Sequence, residues 1–487
     1  MKQQVKKILG KSFSPGSILY NTYHKSRGVL AATISGFPSS KIITIGVTGT
    51  NGKTATSIML AHILESAGEK VGLITTVSYW IGNKKWVNET KMTTDTPFKT
   101  QRLLRRMVKA GCRFAIVETS SHALMQHRTW GIFYDVAVFT NLSQDHLDYH
   151  KTMENYRDTK AKLFKELYDS PRVPYVPKIM VLNYDDPLHS YFGKFEADKK
   201  VGFSAALNIS STLKNSSSPI KPMVWAEDIQ LFPTHSTFTI FVPKSAAPAG
   251  MDAIDHTGQT VFPSGFESIN VRLNVPGRFN IENAMAAAST AHALGFKLEK
   301  IKSGLESITK IPGRMEYIDE DQPFTVISDY AHTPDGYDKA LSSIRGFTEG
   351  KLIIVFGAAG DRDKDKRPQL GRIASQYGDI LILTEEDPAS EDPAEIVETI
   401  KTGIPNKFIE NKNLYVILDR PKAVQKAFEL AQPNDTVVLL ALGAQTVMAK
   451  KEGIVPYNER QYARNLLQLA VKQNQYDYNS HPKRDDS

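Results

Sequence analysis

The chain has 487 residues, enough for roughly two to four cores of ordinary size, and its 41% apolar and 23% charged residues are those of a globular protein. Sixty Lys and Arg against 52 Asp and Glu leave a net charge of +8, a modest excess scattered along the chain. These values exclude a disordered tail protein and a collagen-like repeat, and they favour small anionic substrates over nucleic acid.

From the start, the segment from residue 2 to 23 is basic and polar. The apolar stretch that follows, residues 28–36, is far shorter than the ~20 residues of a membrane-spanning helix. It also lies too far in, behind a polar leader, for a signal peptide. The single cysteine, Cys112, rules out an intramolecular disulfide and a Cys-based zinc site. A cytoplasmic protein without stable membrane insertion is the expectation.

Residues 42–48, 71–75, 114–118, 136–140 and 178–183 are short β-branched runs that read as buried strands. Their apolarity is continuous rather than alternating, which a parallel sheet covered on both faces requires. Between the first two, Leu60, Ile63, Leu64 and Ala67 form the stripe of a helix lying on that sheet. Residues 204–276 are richer in Ser, Thr and Pro and read as twisted antiparallel strands and loops. Pro312-Gly313 is the candidate hinge before a second strand series at 325–328, 352–356, 379–384, 414–418 and 436–441. The fold expected is α/β: a P-loop, doubly wound central ATPase domain, then a smaller Rossmann-like C-terminal domain. Boundaries follow at 1–40 for a short leader, 41–312, 313–472, and a polar tail at 473–487. No solenoid-type repeat is present.

Chemistry concentrates at strand ends. Thr48-Gly49-Thr50-Asn51-Gly52-Lys53-Thr54 stands between a strand and a helix. Glycines there let backbone N–H groups wrap nucleotide phosphates, Lys53 neutralises the β- and γ-phosphates, and the Thr54 hydroxyl reaches Mg²⁺. The strict Walker spacing fails, because Val47 stands five positions before Gly52. Glu118-Thr119-Ser120-Ser121-His122 closes a further strand, where an open sheet gathers its ligands, and Glu118 is placed to bind the metal. After the next strand, two His and two Asp fall within Thr140 to His150, among them Asp145 and His146. Oxygen ligands with at most one imidazole suit Mg²⁺ better than Zn²⁺.

Together these motifs resemble the Mur ligase family, and within it the UDP-N-acetylmuramoyl-tripeptide synthetases. Similar stretches are Thr93-Thr94, Asn280-Ile281-Glu282-Asn283, Pro312-Gly313-Arg314-Met315-Glu316, Asp329-Tyr330-Ala331-His332-Thr333-Pro334 and Gly360-Asp361-Arg362-Asp363 with Lys366-Arg367-Pro368. The resemblance spans roughly residues 41–460. It implies an ATP-dependent amide ligase that forms an acyl phosphate and then a peptide bond. It further implies that Lys160 is carbamylated and, with Thr54, Glu118 and His146, holds Mg²⁺; Lys162 is the neighbouring alternative. Asn280 and Asn283 would meet the adenine, Asp329 the ribose, Arg314 the phosphates, and His332 would lie near the nucleotide. Lys53, Glu118, His146, Lys160 and Arg314 are then the catalytic set, and Gly49, Thr50, Asn51, Gly52 and Thr54 complete the nucleotide loop. Thr93, Thr94, Ser120, Ser121, His122, Arg362 and Asp387 would meet the other substrates. A monomer with small-molecule partners only is expected.

The chain departs from the family pattern in two places, at two motifs on the acceptor side and at the front. Diaminopimelate-using members carry Asp-Asn-Pro-Arg, whereas this chain reads Glu386-Asp387-Pro388-Ala389. Ala389 cannot clamp a distal carboxylate, so a basic acceptor such as lysine is expected, with Arg362 left for the α-carboxylate. Where the family often has Gly-Lys-Gly-His-Glu, the chain has Ala441-Leu442-Gly443-Ala444-Gln445. The second departure is at the front, where about forty residues stand in place of a UDP-gripping domain of about a hundred. That shortening favours a folylpolyglutamate- or poly-glutamate-type ligase as the alternative enzyme. A non-catalytic nucleotide-binding subunit would be expected to lack Lys53, Glu118 or His146, and all three are present. A P-loop motor or GTPase would not need the second α/β unit.

Overall fold

Strands with no polar face need cover on both sides, and helices provide it here. The computed structural model describes residues 17–90, 92–206, 222–244 and 266–472. An eleven-stranded sheet is built from β1 (Ile43–Thr48), β2 (Val71–Ile74), β3 (Ser78–Ile81), β4 (Lys84–Val87), β5 (Phe114–Glu118), β6 (Val136–Phe139), β7 (Ile179–Asn183), β8 (Lys199–Ser204), β9 (Pro222–Leu231), β10 (Ser236–Pro243) and β11 (Phe266–Leu273). Their order is β11-β10-β9-β8-β7-β6-β1-β5-β2-β3-β4. The middle, from β9 to β2, is parallel, and both margins are antiparallel. The Ser- and Thr-rich segment thus extends the main sheet; its residues 207–221 and 245–265 lie outside the described residues.

Ile45 and Val47 of β1 are fully buried. Truncating either to Ala should cost about 2–4 kcal/mol. The Lys53–Ser66 helix is not the one-sided helix its stripe suggests. Every residue from Thr54 to Ala61 is buried, together with Ile63 and Leu64. The reason is a second helical layer: the Ala-rich Arg278–Ala293 helix and the Leu298–Glu306 helix pack across its outer face. Small residues make this possible, since a Cβ on Gly304 would meet the Ile63 Cα at 2.3 Å.

A second sheet takes the order β12-β13-β17-β14-β15-β16, with β12 (Glu316–Tyr317), β13 (Thr325–Asp329), β14 (Leu352–Phe356), β15 (Ile380–Leu383), β16 (Leu414–Val416) and β17 (Thr436–Leu440). All its pairings are parallel except β12 with β13. A short hairpin, β18 (Val447–Lys450) and β19 (Gly453–Pro456), follows. Arg420 and Glu459, both fully buried, pair at 2.6 Å and tie the last two helices together. Arg420 also donates to the Leu440 carbonyl (2.6 Å), so the pair anchors the end of β17.

Ahead of β1, residues 18–35 form a helix capped by the Ser17 hydroxyl and ended by Gly36 in the left-handed region. It docks on the Pro97–Lys109 helix rather than forming a core of its own. A Cβ on its Gly28 would meet the His127 carbonyl at 2.6 Å, so the leader helix also touches the backbone of the turn that follows the Ser121–Met125 helix. Residues 1–16 of the leader and the polar tail at 473–487 lie outside the described residues.

Candidate active site

β1 sits between β5 and β6, which is where the strand order reverses, and the loops after all three converge. The nucleotide loop leaves β1 through Gly49 (φ 152°) and enters its helix through Gly52 (φ 84°). A Cβ on Gly52 would also meet Asn283 Oδ1 at 2.1 Å, so two constraints demand glycine there. Thr140 Oγ1 donates to the Asn51 carbonyl (2.7 Å), and Asn51 N–H donates to Asn141 Oδ1 (2.9 Å). The loop shape is thereby fixed from the end of β6.

Lys53 Nζ donates to the carbonyls of Gly49 (3.0 Å) and Thr50 (2.8 Å). Thr54 Oγ1 donates to Glu118 (2.9 and 3.0 Å), and Glu118 also accepts from Thr76 N–H (2.8 Å) and Thr76 Oγ1 (3.1 Å). Arg314, from the second unit, approaches Thr54 Oγ1 at 3.4 Å and lies over the Tyr330 ring at 4.6 Å. Thr93 Oγ1 lies 3.1 Å from Thr76 Oγ1, while Thr94 donates to the Glu118 carbonyl (2.7 Å) and accepts from Ser120 N–H (3.1 Å).

On the other side of the loop, Lys160 is buried and donates to the same Gly49 carbonyl at 2.7 Å. Burial first, and the neighbouring Lys53 second, push its pKa well below the ordinary lysine value. Lys162 instead lies 4.0 Å from the Met125 sulfur. His146 stands in the left-handed region (φ 56°), 3.2 Å from Asp145, which lies 4.0 Å from His332. Burial works against the Asp145 charge, but His146, Lys366 and His332 overcome it and hold its pKa below the usual range. The one-turn Leu147–His150 helix divides the acid and imidazole run. His150 turns inward to Ser121 Oγ (3.0 Å), while Asp148 is exposed.

His122 packs against His146 and Tyr149, with ring centroids 4.6 and 4.3 Å away. Burial, then His150, Arg362 and Arg128, press its pKa down to about 3. The leader helix reaches this cluster, since the Tyr20 and Tyr149 hydroxyls lie 3.0 Å apart. Arg128 donates to the Thr94 carbonyl (2.8 Å) and to Gln126 Oε1 (2.9 Å). Arg128, Tyr149, Thr76 and Asp335 escaped the sequence reading. For Arg128 the available signal was its place six residues after His122, in the turn that follows the Ser121–Met125 helix.

Two clefts meet at Arg314. One is lined by Asn51, Gly52, Asn280, Asn283 and Asp329, which brings the expected adenine and ribose residues together with the loop. The Asp329 carboxylate already accepts from the Met315 and Ala331 N–H groups (2.7 Å each). His332 is absent from that lining; its Nδ1 lies 2.8 Å from the Tyr330 carbonyl. The other cleft is lined by Thr76, Asn88, Glu89, Tyr330, Gln445 and Thr446, among others. Beside it, Asp387 Oδ1 accepts from Ala449 N–H (2.7 Å), and Ala389 takes a left-handed φ of 52°. Across the two units, Asn51 Nδ2 donates to Asp335 Oδ2 (2.8 Å).

Among the described residues no three His, Cys, Asp or Glu side chains form a metal-binding group by themselves. The Thr54 hydroxyl and Glu118 carboxylate, side by side at the nucleotide loop, are nonetheless a donor set that fits Mg²⁺. That ion needs only one or two protein oxygens when phosphates and water complete its shell.

A family model for the Mur ligase middle domain matches residues 47–291, and one for the Mur ligase glutamate ligase domain matches residues 313–443. A UDP-N-acetylmuramyl-tripeptide synthetase of Roseiflexus sp. (strain RS-1) is 38% identical over 445 residues, covering 90% of this chain and 81% of the relative. A UDP-N-acetylmuramoyl-L-alanyl-D-glutamate–2,6-diaminopimelate ligase of Geobacillus thermodenitrificans (strain NG80-2) is 37% identical over 446 residues, covering 90% and 82%. Among solved structures, a ligase of that same name matches with a TM-score of 0.54 at 28% identity, over 88% of this chain and 79% of the other. Mycobacterium tuberculosis folylpolyglutamate synthase, solved with ADP and AMPPCP, matches with a TM-score of 0.64 at 15% identity, over 91% and 96%, a likeness of fold alone.

Proposed function

The chain belongs to the Mur ligase family, and from that we propose that it is an ATP-dependent ligase joining an amino acid to a UDP-N-acetylmuramoyl peptide in peptidoglycan synthesis. The observation that carries this reading is Arg314 of the second unit lying 3.4 Å from Thr54 of the nucleotide loop. A group from each unit then faces the phosphates, which a two-substrate transfer needs and simple nucleotide storage does not.

In the proposed reaction the donor carboxylate attacks the γ-phosphorus of ATP and ADP leaves. The amine then attacks the acyl phosphate, loses a proton, and releases phosphate. Lys53 and Arg314 stabilise charge on the transferring oxygens. Thr54 and Glu118 would hold Mg²⁺, which when bound supplies further charge at the phosphates. We assign Lys160 a carbamate, because a buried neutral amine is the form that adds CO₂. Asn280, Asn283 and Asp329 are assigned to the nucleoside. Thr93, Thr94, Ser120, Ser121 and His122, joined by Arg128 and Tyr149, are assigned to the donor. His146 with Asp145 borders both.

For the acceptor we propose a basic amino acid such as lysine, with Arg362 taking its α-carboxylate. Gln445 supports this: its Oε1 is buried without a hydrogen-bond partner and lines the second cleft beside Glu89. Asp387, its carboxylate already engaged, would act by holding the Ala449 segment. We further propose a cytoplasmic monomer divided at residues 41–312 and 313–472.

The test is ATP-dependent phosphate release with a panel of UDP-muramoyl peptides and amino acids, each product being weighed. Turnover on a UDP-muramoyl dipeptide with lysine supports the reading. Turnover only on a folate or glutamyl chain overturns it.

A further inference from the structure

We propose that the outer face of the leader helix and its neighbour is a docking surface for an anionic lipid bilayer. Charge is asymmetric here: the described leader, residues 17–36, carries Lys25 and Arg27, and no Asp or Glu occurs before Glu65. In the Ile18–Ser35 helix, Tyr20, His24, Gly28 and Ala31 face the protein. The opposite side leaves Ile18 87%, Leu30 52% and Ile34 63% exposed, with Lys25 among them.

The helix it packs on continues the pattern. Pro97–Lys109 contains five bases and no acid, and its outward stripe is Phe98, Arg102, Arg105, Arg106 and Lys109. Arg106 in turn lies over Trp86 at 5.4 Å, and Trp86 and Val87 are exposed on the β3–β4 hairpin. Of the nearby acids, Glu65 is paired by Lys85 at 2.8 Å and Glu69 by Arg113, while Glu89 lines the second cleft.

Bases with aliphatic and aromatic side chains between them are what a surface needs to sit at the headgroup boundary. Exposed Leu and Ile have no counterpart on a nucleic acid, whose bases are read by stacking and hydrogen bonds. No helix among the described residues is long and apolar enough to cross a membrane, so the contact is peripheral. The same helix carries Tyr20 to the Tyr149 cluster on its inner side, so docking and the donor side of the cleft share one element.

The experiment is co-sedimentation of the full chain with vesicles of phosphatidylcholine alone, or of an equal mixture with phosphatidylglycerol. Binding should be at least about tenfold stronger to the anionic vesicles and should fall as salt rises from about 0.1 M towards 1 M. Both R102E/R105E and L30D/I34D should lose about tenfold or more, with unchanged thermal unfolding midpoints. Absence of vesicle binding, or equal binding to neutral vesicles, overturns the proposal. So does loss in R102E/R105E alone with L30D/I34D intact, which would mark a site for a soluble polyanion.

Discussion

Replacing Lys160 by Ala tests the electrostatics of the nucleotide loop. Lys160 Nζ and Lys53 Nζ lie 2.7 and 3.0 Å from one carbonyl oxygen, that of Gly49. The two nitrogens are therefore within about 6 Å, where two unit charges interact by about 3 kcal/mol at an effective dielectric constant of ~20. As two ammonium groups they would repel by that amount, which adds to burial in lowering the Lys160 pKa. As a carbamate it would attract Lys53 by a similar amount and steady it against the phosphates. Losing that anion should lower kcat/KM for ATP by about a hundredfold, the equivalent of about 3 kcal/mol. The assay is phosphate release by wild type and variant, with intact-mass spectrometry of the wild type in bicarbonate. The carbamate would add the mass of CO₂, and a small carboxylate should partly rescue the truncated variant. Full activity in Lys160→Ala would refute this reasoning.

Arg314→Ala should lower kcat for phosphate release by about 10²–10³ with thermal stability unchanged, as expected for a group acting on developing charge; a change in KM alone would assign it to ground-state binding. Asp335→Ala, which removes the 2.8 Å bond to Asn51, should raise KM for ATP by about tenfold, read from initial rates. Gly52→Ala should abolish nucleotide binding in calorimetry, because it combines a left-handed φ of 84° with a contact at 2.1 Å to Asn283. His122, His150, His332 and His292 are held at about 3 to 4, chiefly by burial. In the unfolded chain they titrate near 6.5. The unfolded state thus binds more protons between those values, and stability should fall as pH drops from about 6.5 towards 4. Denaturation midpoints that stay flat across that window would contradict the burial argument.

Much of this was legible because the chemistry is tied to strand ends. The runs at β1, β5 and β6 carry continuous β-branched apolarity, which predicts that the loops after them gather at one end of the sheet. Lys53, Thr54 and Glu118 do meet there, and Arg314 joins them from afar. What escaped depended on partners distant in the chain. Thr76 is an unremarkable Thr until Glu118 folds against it, 42 residues later. The Lys53–Ser66 helix showed a one-sided stripe, yet its outer face is covered by helices more than 200 residues on. The leader was legible as basic but not as a helix delivering Tyr20 to Tyr149, since that contact spans 129 residues.

The most direct measurement is the mass of the product formed from a UDP-muramoyl dipeptide, ATP and a panel of amino acids. A single new amide to lysine, with one ADP and one phosphate released per bond, is the result expected here. Phosphate release with no UDP-linked product, but extension of a folate or glutamyl chain, would contradict the assignment of the donor.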